Sequence, residues 1–310
     1  MDNTDHIERR LKLHDVRVLM SVVQTGSMSK AAERLGTAQP ALSRSIAELE
    51  HALGVRLLDR SPRGVEPTAY GRALIKRGVA VFDELRQGVK DIEFLADPTA
   101  GELRIGAGES MAAGPVLVAV DRLSRQYPRI SVHLVTGNLE SLCDELNERN
   151  IEIAIIRISE PVVDRQLVVE KLFVDPYVVA VGAQNPWTRR RRVRLADLVN
   201  EPWVLRPFDT ASGAIVTQAF RASGLELPRA AVFTTSINMQ HRMLATGRYL
   251  AALPSYSLRL SDSLKALPVE LPGTVRPVGI ITVKNRTLSP LAQLFLDRVR
   301  SIVKPLTKSG

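Results

Sequence analysis

Leu13 to Gly54 reads LHDVRVLMSVVQTGSMSKAAERLGTAQPALSRSIAELEHALG, and its apolar spacing decides the first domain. Leu13, Val16, Leu19, Met20 and Val23 share one helical face, which Gly26 closes. Ser27 is placed to cap a second helix whose small face, Ala31, Ala32 and Leu35, permits close packing before Gly36 ends it. A third helix starts at Thr37 or Ala38 with Pro40 in its first turn, and Leu42, Ile46, Leu49 and Leu53 form its buried stripe up to Gly54. Residues 55–60 and 61–66 then read as two short strands around a turn, with Arg60 and Arg63 near the tip. Three helices and a hairpin in this order predict an all-α winged helix-turn-helix, a fold that seats one helix in the DNA major groove.

The residues Gly26-Ser27, Ala31-Ala32, Leu35, Gln39-Pro40-Ala41-Leu42-Ser43, Ile46, Leu49-Glu50, Leu53-Gly54, Leu57, Arg60, Thr68 and Gly71 resemble the LysR-type transcriptional regulators in order and register. Two positions depart from that pattern. Ala38 stands where the family usually has Ser or Thr, with Thr37 beside it as an alternative cap, and Leu58 stands where it usually has Phe. The expected DNA-binding set is Ser27, Gln39, Pro40, Ser43 and Arg44 on the helices, and Arg60 and Arg63 on the wing. The resemblance implies a homodimer or homotetramer, double-stranded DNA, a small-molecule effector and RNA polymerase as partners.

The net charge of +9 does not mark the DNA-binding part. Residues 1–66 carry +1, residues 67–96 carry +1 and residues 97–310 carry +7. The DNA reading therefore rests on the helix pattern and on local arginines rather than on bulk basicity. The N-terminal residues lack the basic and apolar regions of a signal peptide, and no apolar run approaches the ~20 residues of a membrane span. A cytoplasmic protein with no membrane partner is expected. The single cysteine, Cys143, and five scattered histidines offer neither a disulfide nor a metal cluster, and no cofactor is expected.

Thr68 caps a long helix that Asp97-Pro98 closes near Ala96. Gly71, Ile75, Gly78, Phe82, Leu85, Val89, Ile92 and Ala96 alternate in steps of four and three, the seam of a two-helix coil; Ile75, Phe82, Leu85, Val89 and Ile92 are the expected dimerisation residues. From Gly101 onward strands alternate with helices, predicting an α/β domain. Two such series give a two-lobed, periplasmic-binding-protein-like effector domain, as the resemblance also implies. The expected domains are residues 1–66, 67–97 and 98–310. Lobe I takes about 98–160 and 273–310, and lobe II about 161–272, joined by proline-bearing crossovers at 157–164 and 265–272.

A ligand is then expected between the lobes, where strand and helix ends converge. Ser110, which opens a helix after the first strand, heads the candidates, followed by Thr136, Asn138, Phe208, Thr210 and Ser236. Glu109 and Asp209 at the mouth repel carboxylates and accept hydroxyl protons, so a sugar-like effector stands beside the organic acids common in the family.

Enzyme chemistry finds little support. Gly106-Ala107-Gly108 resembles a dinucleotide turn, but Met111 stands where a third glycine belongs. Cys143 lies among Leu139, Leu142 and Leu146 and reads as an inert thiol, and no Gly-x-Ser-x-Gly or His-Glu-x-x-His motif occurs. The run Arg189 to Arg192 reads as a solvated loop. The expected function is a LysR-type, effector-controlled, sequence-specific regulator. The alternatives are a solute sensor whose N-terminal domain binds a protein, and an α/β enzyme with a regulatory winged helix.

Overall fold

The computed structural model describes residues 11–61, 64–259 and 261–306. The chain forms two compact units, Met1–Gly88 and Val89–Gly310.

In the first unit α1 (Leu13–Thr25), α2 (Met28–Arg34) and α3 (Gln39–Leu53) enclose Val18, Leu19, Val22, Ala31, Leu42 and Ile46. Gly26 and Gly54 adopt φ of 63° and 69°, left-handed turns that stop α1 and α3 abruptly. The buried face of α1 is rotated from the expected one. Leu13 is exposed while Val18 and Val22 are buried. The helix is covered on two sides, by α2 and α3 and by the long helix α4 (Ala69–Ala96), where a Cβ at Gly78 would lie 2.8 Å from Val16 Cγ1. Thr37 does not cap α3. Ala38 holds the N-cap position without a side-chain bond, and the Thr37 N–H donates to the Ala32 carbonyl at 3.0 Å.

The wing is β1 (Leu58–Ser61) paired antiparallel with β2 (Gly64–Pro67), and Arg60 stands opposite Val65. The strands are shorter than expected. The N–H groups of Leu57 and Leu58 donate to Glu50 Oε1 at 2.7 and 3.2 Å, so a carboxylate near the end of α3 serves them in place of a strand partner.

Thr68 Oγ1 accepts from the Gly71 N–H at 3.1 Å and opens α4. A Cβ at Gly71 would lie 2.1 Å from the Leu57 carbonyl oxygen, so only glycine lets the helix dock here. Gly71, Ile75 and Gly78, expected in a dimer seam, instead serve the chain's own domain; Ile75 packs half-buried against the α1–α3 core. Phe82 is half-buried. An open apolar stripe follows: Leu85 is 51% exposed, Val89 54% and Ile92 68%.

The second unit holds two five-stranded sheets, each with its own core. In the first, β3 (Ala100–Ala107) lies parallel to β4 (Arg129–Thr136) and to β5 (Ile153–Arg157). β12 (Arg276–Val283) pairs antiparallel with β5 and with β6 (Leu167–Asp175). α5 (Leu117–Gln126), α6 (Leu139–Asn147) and the final helix α9 (Pro290–Val303) complete this lobe. The expected single helix after β3 is broken. A short turn, Glu109–Met111, and a π-type segment, Ala112–Val116, precede α5 because Gly114 leaves helical geometry ahead of Pro115.

In the second sheet the order is β11 (Leu264–Ala266), β7 (Tyr177–Gly182), β10 (Leu250–Pro254), β8 (Trp203–Leu205), β9 (Ala230–Phe233). α7 (Ala211–Ala222) and α8 (Ile237–Ala245) belong to this lobe. The expected lobe boundary at residues 157–164 is corrected by β6. Leu167–Asp175 is an edge strand of the first sheet, with Arg276 to Val283 of β12 as partners. The first crossing therefore falls at Pro176, between β6 and β7, and the return falls between Ala266 and Arg276.

Candidate functional site

Two surfaces carry the candidate residues. The first is the N-terminal end of α3. Its buried stripe, Leu42, Ile46 and Leu49, is held at 0–1% exposure. Gln39, Pro40 and Arg44 are exposed beyond it, and Ser43 is half-buried. The first turn of α3 contains no acidic residue and its N-cap has no side-chain acceptor, so the positive end of the helix stays available to a phosphate. Ser29 Oγ donates to Gln39 Oε1 at 3.0 Å, which adds the start of α2 to this surface. Ser29 escaped sequence reasoning because only the turn between α2 and α3 brings it beside Gln39. Ser27 is half-buried and its hydroxyl caps α2, accepting from the Lys30 N–H at 3.5 Å. Arg60 is exposed on β1, and Arg63 lies outside the described residues.

The second surface is a cleft of about 840 Å³ within the second unit, between its two sheets. Ser110, Thr136, Asn138 and Thr210 line it, as do Glu109 and Asp209. Two of these polar groups already serve the backbone. Asn138 Oδ1 accepts from the Ser141 N–H at 2.8 Å at the start of α6, and Thr210 Oγ1 accepts from the Gly213 N–H at 3.1 Å at the start of α7. Phe208 and Ser236 are corrected. The Phe208 ring packs edge-on against Phe233 at 5.2 Å and joins the lobe II core, while exposed Ser236 caps α8 through the Met239 N–H. A position after a strand fixes a side chain's height above the sheet but not its direction.

Sequence reasoning missed the two cations and one buried amide of the cleft. Arg157, at the end of β5, is 9% exposed and binds both the carboxylate and the backbone carbonyl of Asp175. Its guanidinium also lies 4.9 Å from the Tyr177 ring centroid. Asp175 Oδ1 accepts from Ser255 Oγ at 2.6 Å and from the Tyr256 N–H at 3.1 Å, so one buried carboxylate ties together β5, β6 and the end of β10, where the chain first crosses between lobes. Arg206 Nη2 reaches across the cleft to Glu109 Oε2 at 3.3 Å. Gln240 on α8 is 1% exposed, lines the cleft, and its Oε1 has no partner among the described residues.

Burial pushes the Cys143 thiol up from its ordinary range, with Asp144 and Asp164 adding to the rise, which disfavours the thiolate. Among the described residues no group of three His, Cys, Asp or Glu is placed to hold a metal, and no helix is long and apolar enough to cross a membrane. Arg189 to Arg192 are exposed around a short 3₁₀ turn, Pro186–Arg189. Neutralising all four should leave affinity for a specific DNA site within roughly threefold, because no helix or aromatic platform organises them. A larger loss with a reduced salt dependence in anisotropy titrations would assign them to DNA.

A winged helix with an open recognition-helix terminus, followed by a two-lobed α/β domain with a polar cleft, defines a DNA-binding regulator with an effector-binding domain. Residues 13–72 match the bacterial regulatory helix-turn-helix protein, lysR family, and residues 96–303 match the LysR substrate binding domain. The chain belongs to the LysR family of transcriptional regulators. It is 25% identical over 303 residues to the uncharacterised HTH-type transcriptional regulator YdcI of Escherichia coli, covering 97% of this chain and 98% of that one. A full-length variant of OxyR from Pseudomonas aeruginosa is similar in fold, with a TM-score of 0.68 at 22% identity over 97% of this chain and 99% of that chain. Full-length CbnR complexed with its target DNA gives a TM-score of 0.53 at 21% identity, over 94% of this chain and 100% of that chain.

Proposed function

We propose that the protein is a cytoplasmic, sequence-specific regulator that seats α3 in the major groove of a pseudopalindromic site as a homodimer or homotetramer. A small polar effector, an organic acid or a sugar-like compound, occupies the cleft and shifts how the paired DNA-binding domains engage that site. The observation that carries this reading is the first turn of α3, where exposed Gln39, Pro40 and Arg44 sit on a helix whose opposite stripe is fully packed. Gln39 and Ser43 supply base-edge contacts, Arg44 a groove or phosphate contact, and Arg60 a contact from the wing, with Arg63 assigned the same role from sequence. Ser27 supports the surface by fixing the start of α2. RNA polymerase is the partner through which such a regulator acts, and the chain itself performs no reaction.

Arg44→Ala is expected to weaken specific DNA binding by about 1–3 kcal/mol while leaving the melting temperature unchanged, since the side chain is exposed. Fluorescence anisotropy on the selected site, paired with thermal unfolding, checks both halves. Wild-type affinity with a normal footprint would move the reading surface away from α3.

A further inference from the structure

We infer that the cleft ligand is an uncharged polyhydroxylated molecule of sugar type rather than an organic acid; this rests on the reading of the cleft as the effector site. Four carboxylates face the cleft, Glu109, Glu140, Glu160 and Asp209, against two guanidiniums, Arg157 and Arg206. Both guanidiniums are engaged. Arg157 is held by buried Asp175, and Arg206 is paired to Glu109 at 3.3 Å. A ligand carboxylate would have to displace a protein carboxylate from one of them while facing those that remain.

The helix termini that open on the cleft do not reverse this balance. The N-terminal turn of α6 contains Glu140, and Asp209 immediately precedes the α7 cap, so negative charge already lies against those dipoles. The caps Asn138 and Thr210 further occupy N–H groups that an anion would seek.

Gln240 gives the independent indication. Its Oε1 is buried in the cleft wall without a donor among the described residues, and leaving such an oxygen unpaired is costly. A carboxylate has no proton to offer it; a hydroxyl does. Ser110 and Thr136 from one lobe and Ser212 and Thr235 from the other add hydroxyls that donate or accept as a ring of ligand hydroxyls requires. At about 840 Å³ the cleft falls within the range of small-molecule sites and has room for a monosaccharide or a disaccharide.

The test is calorimetric titration of the full-length protein with the common aldohexoses, aldopentoses, their alditols and disaccharides, and with the aldonates of the same skeletons. At least one neutral probe is expected to bind, with the matching aldonate at least about tenfold weaker. Gln240→Met should lower affinity for that neutral probe at least about tenfold with an unchanged melting temperature of the free protein, and Asp209→Asn should raise affinity for the aldonate about tenfold. Tighter binding of an aldonate than of its parent sugar, no neutral probe binding by about 10 mM, or wild-type affinities in both variants would overturn the inference. Retention of a specific DNA site by the same preparation separates the two readings. Retention without sugar binding sinks only the ligand class, whereas sugar binding without specific DNA retention sinks the regulator and leaves the cleft assignment standing.

Discussion

Replacing Leu85 and Ile92 together by Asp is expected to convert the protein to monomers at micromolar concentration and to lower its affinity for a two-half-site DNA by about 10²–10⁴-fold, the loss that follows when two linked modules no longer bind together. Leu85, Val89 and Ile92 are 51–68% exposed on one α4 stripe, an arrangement with no stabilising role in an isolated chain. A second copy of α4 is the expected cover for such a stripe, given the three- and four-residue spacing it carries. Ile75 is a poorer target than its place in the repeat suggests, because it packs against the domain's own core and its loss would confound folding with assembly. Sedimentation equilibrium decides the matter. An unchanged dimer mass for the double variant would remove α4 from the interface.

The second large effect is expected at Asp175. Removing this carboxylate by Asp175→Ala strands the buried Arg157 guanidinium and deprives Ser255 Oγ and the Tyr256 N–H of their acceptor. Breaking a buried pair from one side costs about 3–5 kcal/mol. For a unit of this size that corresponds to a fall in melting temperature of roughly 6–20 °C. Asp175→Asn, which keeps one acceptor oxygen, should fall between that variant and the wild type. The site also marks the first crossing between lobes, so the loosened variant should show faster amide exchange around residues 175–177. A melting temperature within about 2 °C of wild type would mean that water already shares the guanidinium, and the tie between lobes would lose its energetic basis.

These two sites also divide what the amino-acid order discloses from what it hides. The α3 stripe and the Gly26 and Gly54 stops follow directly from apolar period and capping residues, since each is a local signal. β6 was hidden because Leu167–Asp175 runs into Tyr177–Gly182 with only Pro176 between, and nothing in so short a break announces that the two strands belong to different sheets. The cleft follows the same division. Ser110, Asn138 and Thr210 are legible because helix starts place them, whereas Arg157 enters from a strand end and Gln240 from the second turn of α8, and both depend on how the lobes close around them. The seam of α4 was legible as a period but not in its ownership: a close approach to Leu57 and Val16 assigns Gly71 and Gly78 to the chain's own domain.

The claim on which the rest depends is that α3 reads a defined DNA sequence. Selection of genomic fragments by the purified protein at physiological salt, followed by footprinting of the winners, tests it most directly. A pseudopalindrome is expected, with half-sites about one helical turn, or a multiple of it, apart. Uniform, salt-sensitive retention of all fragments without a protected site would contradict it.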